Sequence, residues 1–516
     1  MLLDFDLDMQ INALEYFERG ALPKHRHKIA VIDAAARFTF GQIETFAKNG
    51  AAAILARNLC LNTPIAVLLP KSAATIVADI GIVYAGHAYA NLDLKSPPER
   101  LKAILANLGA GLIITAAEHA AILTNVGVPA TSLLLIESVM TEQASYDEAA
   151  IRARMERVID TDPLCIIHTS GSTGTPKGVA LNHRSTIDFM DWVFQRFDFE
   201  SGTIVGSLSP FYFDIYTLEL YLCLAQGATL VIIPEQLAAF PVKLLEFLEL
   251  HSVSFIFWVP TVMVNIANQR LLPNFGLKAL TRIFFAGEVF PTKSLNEWRR
   301  RLPQAQFVNL YGPIEISVDC TYFIVDREMA DEDKLPIGFP CRNTDVLILN
   351  EQDQPVQGSE PGELCVRGSS IALGYWNDRE RTARAFVQNP LNLHYPEWIY
   401  RTGDIVHRNE RGEIMIVGRR DFQIKHLGYR IELGEIEHAA LKIPGVENAC
   451  VVYAAEQKII TLYYESADAM TDAHLRERLA AFLPKYMLPT RFLRLDQLPR
   501  NPNGKIDRQR LATHNA

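Results

Sequence analysis

Residues 164–178 read LCIIHTSGSTGTPKG: a short apolar run passes without a break into residues that are small, hydroxylated or cationic. The apolar part is strand-like. In the polar part Gly171, Gly174 and Gly178 permit unusual dihedrals and let a ligand approach the backbone closely. Successive amides, with the hydroxyls of Thr169, Ser170, Ser172, Thr173 and Thr175, suit a polyphosphate, and Lys177 supplies a point charge. The spacing is not that of a GxxxxGK[ST] loop, because Pro176 precedes the lysine and Gly178 follows it. A flexible surface loop is the plainer alternative. An ordered string placed directly after a strand favours a phosphate site.

Working outward, short apolar runs recur at residues 64–69, 111–115, 229–233, 253–258, 282–286 and 306–310. Segments of helical period separate many of them, at 76–84, 98–108 and 243–250. Continuous apolar runs alternating with helices imply buried, mostly parallel sheets in a layered α/β body. Past residue 340 the texture changes. Residues 345–349, 362–367 and 412–417 read as half-buried strands joined by turns at 352–354 and 409–412, a more antiparallel β-rich part. Residues 418–421 (GRRD) read as a compact polar hinge. A second α/β pattern follows, with elements at 435–441, 449–453, 459–464, 475–482 and 492–495. The expected division is 1–417 as the large domain, 418–421 as the hinge and 422–516 as a small C-terminal domain.

The chain of 516 residues allows two to four domains at roughly 100–200 residues each. Hydrophobic residues make up 49% and charged ones 21%, which excludes a disordered or fibrous chain. Fifty Lys and Arg against 59 Asp and Glu give a net charge of −9, and no basic block occurs. That argues against a nucleic-acid binder, whose affinity rests on neutralising phosphates. Seven dispersed cysteines without a Cys-x-x-Cys pair point to a reducing compartment, with neither a disulfide framework nor a structural zinc site. The acidic start MLLDFDLDMQ lacks a signal peptide's basic end. No apolar stretch reaches about 18 residues, so no membrane span is expected. A cytoplasmic location and a monomer are the default expectations.

The polar string resembles the phosphate-binding loop of the adenylate-forming superfamily, which includes acyl-CoA synthetases, luciferases and the adenylation domains of non-ribosomal peptide synthetases. Five further segments occur in that family's order and spacing: 309–315 (NLYGPIE), 400–404 (YRTGD), 418–430 (GRRDFQIKHLGYR), 483–489 (LPKYMLP) and 503–507 (NGKID). Together they span nearly the whole chain. The resemblance implies ATP and Mg2+ as cofactors and a mobile lid at the C-terminus. An adenylate forms when a carboxylate attacks the α-phosphorus and pyrophosphate leaves, so cations and fixed donors are needed where charge develops. Lys505, after a Pro-Asn-Gly turn, would bridge the substrate carboxylate and the adenylate oxygens. Thr169, Ser170, Gly171, Ser172, Thr173, Gly174 and Lys177 would hold phosphates, and Glu315 would carry the magnesium ion. Tyr311 would stack on adenine, with Asn309 and Gly312 beside it. Asp404 would take the ribose hydroxyls, and Arg419 and Arg430 would reach ribose and phosphate. Asp421 would be the pivot between one pose that delivers Lys505 and another that presents Lys425 and the rest of 425–428 (KHLG) to a thiol. The family commonly has Tyr where His168 stands, and usually Thr where Ile314 stands.

Within SPFYFDIYTLEL (209–220), Asp214 resembles the carboxylate that pairs with the α-ammonium in amino-acid-activating members. The alternative is that it caps the helix starting there. The corresponding side-chain pocket would comprise Ile215, Leu218, Phe257, Phe284, Ala286, Leu310, Val318 and Asp319. Mostly apolar, it fits a small or medium neutral amino acid, and a cationic side chain only if Asp319 points inward. Stand-alone D-alanine–carrier-protein ligases share this layout, including a string like Gly287–Glu288–Val289. With eleven residues after Lys505, a free-standing enzyme is expected, loading the phosphopantetheine of a carrier protein in trans. An acidic carrier would call for a basic patch; Arg299, Arg300 and Arg301 are candidates, or simply a solvated helix face. An acyl- or aryl-CoA ligase and a non-catalytic nucleotide-binding subunit are the competing readings. Asp214 weighs against the first. Together, Lys505, Glu315 and Asp404 weigh against the second.

Overall fold

A computed structural model of the chain describes residues 11–171, 175–455, 457–500 and 506–513. Two large sheets build the body. In the first, six strands run parallel in the order Gln306–Tyr311, Arg282–Phe285, Phe255–Trp258, Ile204–Ser207, Thr229–Ile232 and Ile29–Ile32. Antiparallel strands close both edges. The second sheet has a parallel centre of Ala88–Asn91, Pro64–Leu68, Ile113–Thr115 and Leu133–Leu135, joined on one side to Pro163–Thr169. The strands inside these sheets, such as Pro64–Leu68, Ile113–Thr115, Thr229–Ile232 and Phe255–Trp258, are buried on both faces, which is why they read as continuous apolar runs.

The helices start and stop where local chemistry dictates. Phe40–Leu55 begins at a capping box, Thr39 accepting from the Gln42 N–H while Gln42 reaches back. Pro98–Leu108 has proline at its first turn and ends at Gly109, φ +61°. The predicted helix at 98–108 has these same bounds.

A third, antiparallel sheet pairs Thr344–Leu349, Gly362–Gly368, Trp398–Arg408, Phe386–Gln388 and Ile414–Arg419. Its last strand runs two residues into the segment read as a hinge, pairing Arg419 with Asp404. The C-terminal unit has its own core around Ile431, Ile436, Val451, Leu462, Leu475 and Leu479. A hairpin, Gln423–His426 with Tyr429–Glu432, projects from it. Among the described residues no helix is long and apolar enough to cross a membrane. All seven cysteines are free thiols, six of them buried.

Candidate active site

The glycine-rich loop joins two antiparallel strands, Pro163–Thr169 and Lys177–Asn182, with Thr169 opposite Lys177. A nucleotide loop of the strand-to-helix kind is thus excluded by topology as well as by spacing. Close packing fixes the glycines. A Cβ on Gly171 would lie 2.1 Å from the Thr175 carbonyl, and one on Gly178 would meet Ile166 and His168. His168 is held neutral, its pKa pushed down to about 3 by burial and by Arg100. The Thr169 hydroxyl is buried with no hydrogen-bond partner among the described residues. Ser170 Oγ donates to the Arg430 carbonyl at 2.6 Å. Ser172, Thr173 and Gly174 lie outside the described residues, as does Lys505.

Lys177 turns inward. Its Nζ is 3.0 Å from Glu315 Oε1 and sits over the ring of Tyr375, whose hydroxyl donates to the same oxygen at 2.8 Å. Arg430 Nη1 takes Glu315 Oε2 at 2.7 Å. Glu315 is fully buried, and these two cations hold its carboxyl far below the usual range despite burial. Sequence reasoning gave no sign of Tyr375.

Asp404 is likewise engaged on both oxygens, by the Tyr311 hydroxyl and by Arg419 Nη1 at 2.9 Å. Arg419 also forks onto Asp421, at 2.7 and 2.8 Å, tying the strand end to the proposed pivot. Asn309 spends its amide N–H on the Pro336 carbonyl at 2.7 Å, leaving its amide oxygen for a ligand. Gly312 has no room for a side chain, since a Cβ would meet Asp319 Cα at 2.5 Å and the Val318 carbonyl at 2.7 Å.

Lys425, on the first strand of the C-terminal hairpin, is half-buried, its Nζ 5.6 Å from the Tyr311 ring centroid. Burial lowers its pKa, opposed by Asp404 and Asp319 and reinforced by Arg430 and Arg419. The hairpin and the helix Leu433–Ala440 that follows it are fixed at three points. Tyr429 packs edge-on against Phe213, Gly428 N–H donates to Glu288 at 2.7 Å, and Glu435 forms a buried ion pair with Arg100. Glu435 Oε2 also accepts the Gly171 N–H at 3.2 Å. Neither Arg100 nor Glu435 was legible, since an arginine in the amphipathic helix 98–108 reads as solvated.

The pocket residues gather in one cluster. Phe257, Phe284, Ala286 and Leu310 share a face of the first sheet, and Ile215 and Leu218 come from the helix Ile215–Gln226. Val318 closes the group. Asp214 immediately precedes that helix but makes no side-chain capping bond to it. Burial raises its pKa to about 7, opposed by hydrogen bonds from its own N–H and that of Ile215 and then by Lys425. Asp319 is 2% exposed and its Oδ2 has no partner among the described residues. A cavity of about 1330 Å3 lies elsewhere, between Asp345, Arg367, Arg379 and Trp398, and touches the Glu315 site at Tyr375. As for a basic patch, Arg301 is committed to the Phe275 carbonyl, which leaves Arg299 and Arg300.

A phosphate-type loop, a buried acidic centre and a C-terminal hairpin closing over both define an adenylate-forming ligase. The chain belongs to the AMP-binding enzyme family, whose profile matches residues 17–376, with the AMP-binding enzyme C-terminal domain matching 435–505. It is 32% identical to the L-proline–[L-prolyl-carrier protein] ligase of Streptomyces coelicolor, covering 92% of this chain and 91% of that one. It is 31% identical to tyrocidine synthase 1 of Brevibacillus parabrevis over 94% of its own length, but spans only 43% of that protein. The crystal structure of IdnL1 superposes with a TM-score of 0.79 at 26% identity, covering 95% of this chain and 98% of that one.

Proposed function

We propose that the protein activates a small or medium amino acid with ATP, giving an aminoacyl adenylate and pyrophosphate. The aminoacyl group then passes to the phosphopantetheine thiol of a carrier protein acting in trans. The observation that carries this reading is Asp214: a half-buried carboxylate beside an apolar cluster, met by the N–H groups of Asp214 and Ile215 but making no capping bond deeper into the helix. Such a group favours a ligand that brings a cation, and an α-ammonium does so where a fatty or aryl acid does not.

In this reading the loop amides, Thr169 and Lys177 hold the phosphates, Asp404 takes the ribose, and Tyr311 stacks on adenine. Lys505 is the cation at the reacting carboxylate, and Lys425 occupies the site when the C-terminal unit is turned for transfer about Asp421. Glu315 would carry magnesium only after Lys177 or Arg430 gives up one of the two oxygens they hold, since that ion takes one or two carboxylates and completes its shell with phosphate oxygens and water. Among the described residues no cluster of three His, Cys, Asp or Glu side chains forms an all-protein metal cage. The ion would neutralise charge on the phosphoryl oxygens. Amino-acid-dependent ATP–pyrophosphate exchange tests the proposal. Exchange stimulated by simple carboxylic acids and by no amino acid would overturn it in favour of an acyl- or aryl-CoA ligase.

A further inference from the structure

A smaller cavity, of about 320 Å3, lies between the two large sheets at the carboxyl ends of their parallel strands. Leu69 and Lys71 follow the strand Pro64–Leu68, Leu92 and Asp93 follow Ala88–Asn91, and Ile233 and Glu235 follow Thr229–Ile232. That edge is where layered α/β proteins take ligands. Among the described residues, none that lines this cavity belongs to the site described above.

Two of its polar groups lack the partners that their burial calls for. Lys71 Nζ donates to the Ser207 carbonyl at 2.7 Å and lies 5.5 Å from the Phe211 ring centroid. Burial pushes its pKa down to about 8 although Glu219 and Glu235 act to raise it, so the carboxylates in reach do not replace its lost hydration. Asn91 is 8% exposed and spends both amide hydrogens, on Asp79 Oδ2 at 2.9 Å and on the Phe211 carbonyl at 3.3 Å. Its Oδ1 is buried with no hydrogen-bond partner among the described residues. A buried polar group without a partner is costly unless a ligand supplies one. The cavity thus calls for an acceptor at Lys71 and a donor at Asn91. At the rim Lys95 pairs with Glu235 at 2.5 Å. Asp93 accepts the Lys95 backbone N–H at 2.9 Å and, among the described residues, forms no salt bridge.

We propose that this cavity is a second ligand site, separate from the adenylation site, and that it takes a small zwitterion with an aliphatic side chain, an α-amino acid such as leucine. The carboxylate meets Lys71, the ammonium donates to Asn91 Oδ1 and faces Asp93, and the side chain packs on Leu92 and Ile232, each 4% exposed. A plain anion satisfies Lys71 but meets Asp93 with like charge, and a plain cation does the reverse. Binding there is independent of which acid the enzyme activates.

The test is equilibrium dialysis of labelled L-leucine, L-valine and L-methionine, without ATP, against the unaltered protein and the Asp214→Asn, Lys71→Met and Asp93→Asn variants. At least one of the three should bind the Asp214→Asn protein, which keeps this cavity and lacks only the amine anchor of the adenylation site. Lys71→Met and Asp93→Asn should each weaken that binding by at least about 10-fold. Asp93 is half-buried at the rim, so its variant carries the test if Lys71→Met lowers Tm. As competitors, 4-methylpentanoate, which lacks the ammonium, and 3-methylbutylamine, which lacks the carboxylate, should each be at least about 10-fold weaker than unlabelled leucine. Failure of all three amino acids to bind the Asp214→Asn protein overturns the proposal, as does binding that Asp93→Asn leaves unchanged or equal competition by either half-molecule. Binding of pantetheine and of no amino acid gives the cavity to the thiol and overturns it too. The activated acid is decided separately by exchange, so the two failures are distinguishable.

Discussion

The Glu288 carboxylate of the body accepts the backbone N–H of Gly428, at the turn of the C-terminal hairpin, at 2.7 Å. Glu288 is itself held by the Thr261 N–H at 3.0 Å and by the Thr261 hydroxyl, to which Lys458 Nζ donates at 2.9 Å. Gly428 has φ +83°, and a Cβ there would come 3.1 Å from Val259. The contact can exist only when the hairpin lies in the site, so it stabilises the pose that brings Lys425 beside Tyr311.

Glu288→Gln should therefore slow transfer while sparing adenylation. A charge-assisted bond of this kind contributes about 1.5–3 kcal/mol, or about 10- to 160-fold in population. Transfer of a labelled aminoacyl group to pantetheine should fall by that factor, with ATP–pyrophosphate exchange within about twofold of the unaltered protein. Equal loss of both activities would assign Glu288 to the body alone.

Glu435 makes a related prediction at the phosphate loop. Its carboxylate sits on the Gly171 N–H, where the proposed phosphates dock, and is neutralised by Arg100. Nucleotide phosphates and this carboxylate compete for one amide. Glu435→Gln should lower the apparent KM for ATP by several-fold and weaken transfer. Arg100→Ala leaves Glu435 buried without its cation, a loss on the scale of about 3–5 kcal/mol. It should be visible as a lower Tm or as faster proteolysis of the C-terminal unit. An unchanged KM in Glu435→Gln would mean that the two anions do not meet.

Much of the body was legible because a strand buried on both faces has a distinctive run of apolar residues, as at 253–258 and 282–286. The strand Lys177–Asn182 was not, because it begins with a lysine and a glycine whose reasons are tertiary: Glu315 for one and His168 for the other. Motif order brought Lys177, Glu315, Asp404 and Arg430 into one reading; Lys177, Glu315 and Arg430 do meet in space, while Asp404 joins Tyr311 and Arg419. What a sequence pattern cannot carry is a contact between distant segments with no local signature. Arg100 and Glu435 are 335 positions apart, and each alone reads as a solvated charge.

Lys505 lies outside the described residues, and its assignment rests on the NGKID segment. Lys505→Ala should abolish ATP–pyrophosphate exchange while nucleotide binding, followed by isothermal calorimetry with ATP, changes little. Its charge is needed as the transition state forms, more than to hold the ground state. Equal loss of binding and exchange would make it a phosphate ligand instead. Lys425→Ala should do the reverse of Lys505→Ala, leaving exchange and impairing transfer to pantetheine.

The pH profile offers a test that needs no variant at first. Asp214 must be ionised to pair with an α-ammonium, yet burial raises its pKa to about 7. Three charged neighbours act on it: Lys425 lowers the value, while Glu315 and Asp319 raise it. The raised pKa means that the proton is bound below about pH 7 and lost above it. The competent form therefore grows as pH rises. The logarithm of kcat/KM for the amino acid should climb by about one per pH unit below that point and level off above it, since kcat/KM reports the free enzyme. Withdrawal of Lys425 from the site removes the cation that acts on Asp214 among the described residues, so Lys425→Ala should move the break to higher pH. Asp214→Asn should flatten this limb and lower kcat/KM throughout. A profile that stays flat between pH 5.5 and about 7.5 in the unaltered protein would remove Asp214 as the amine anchor.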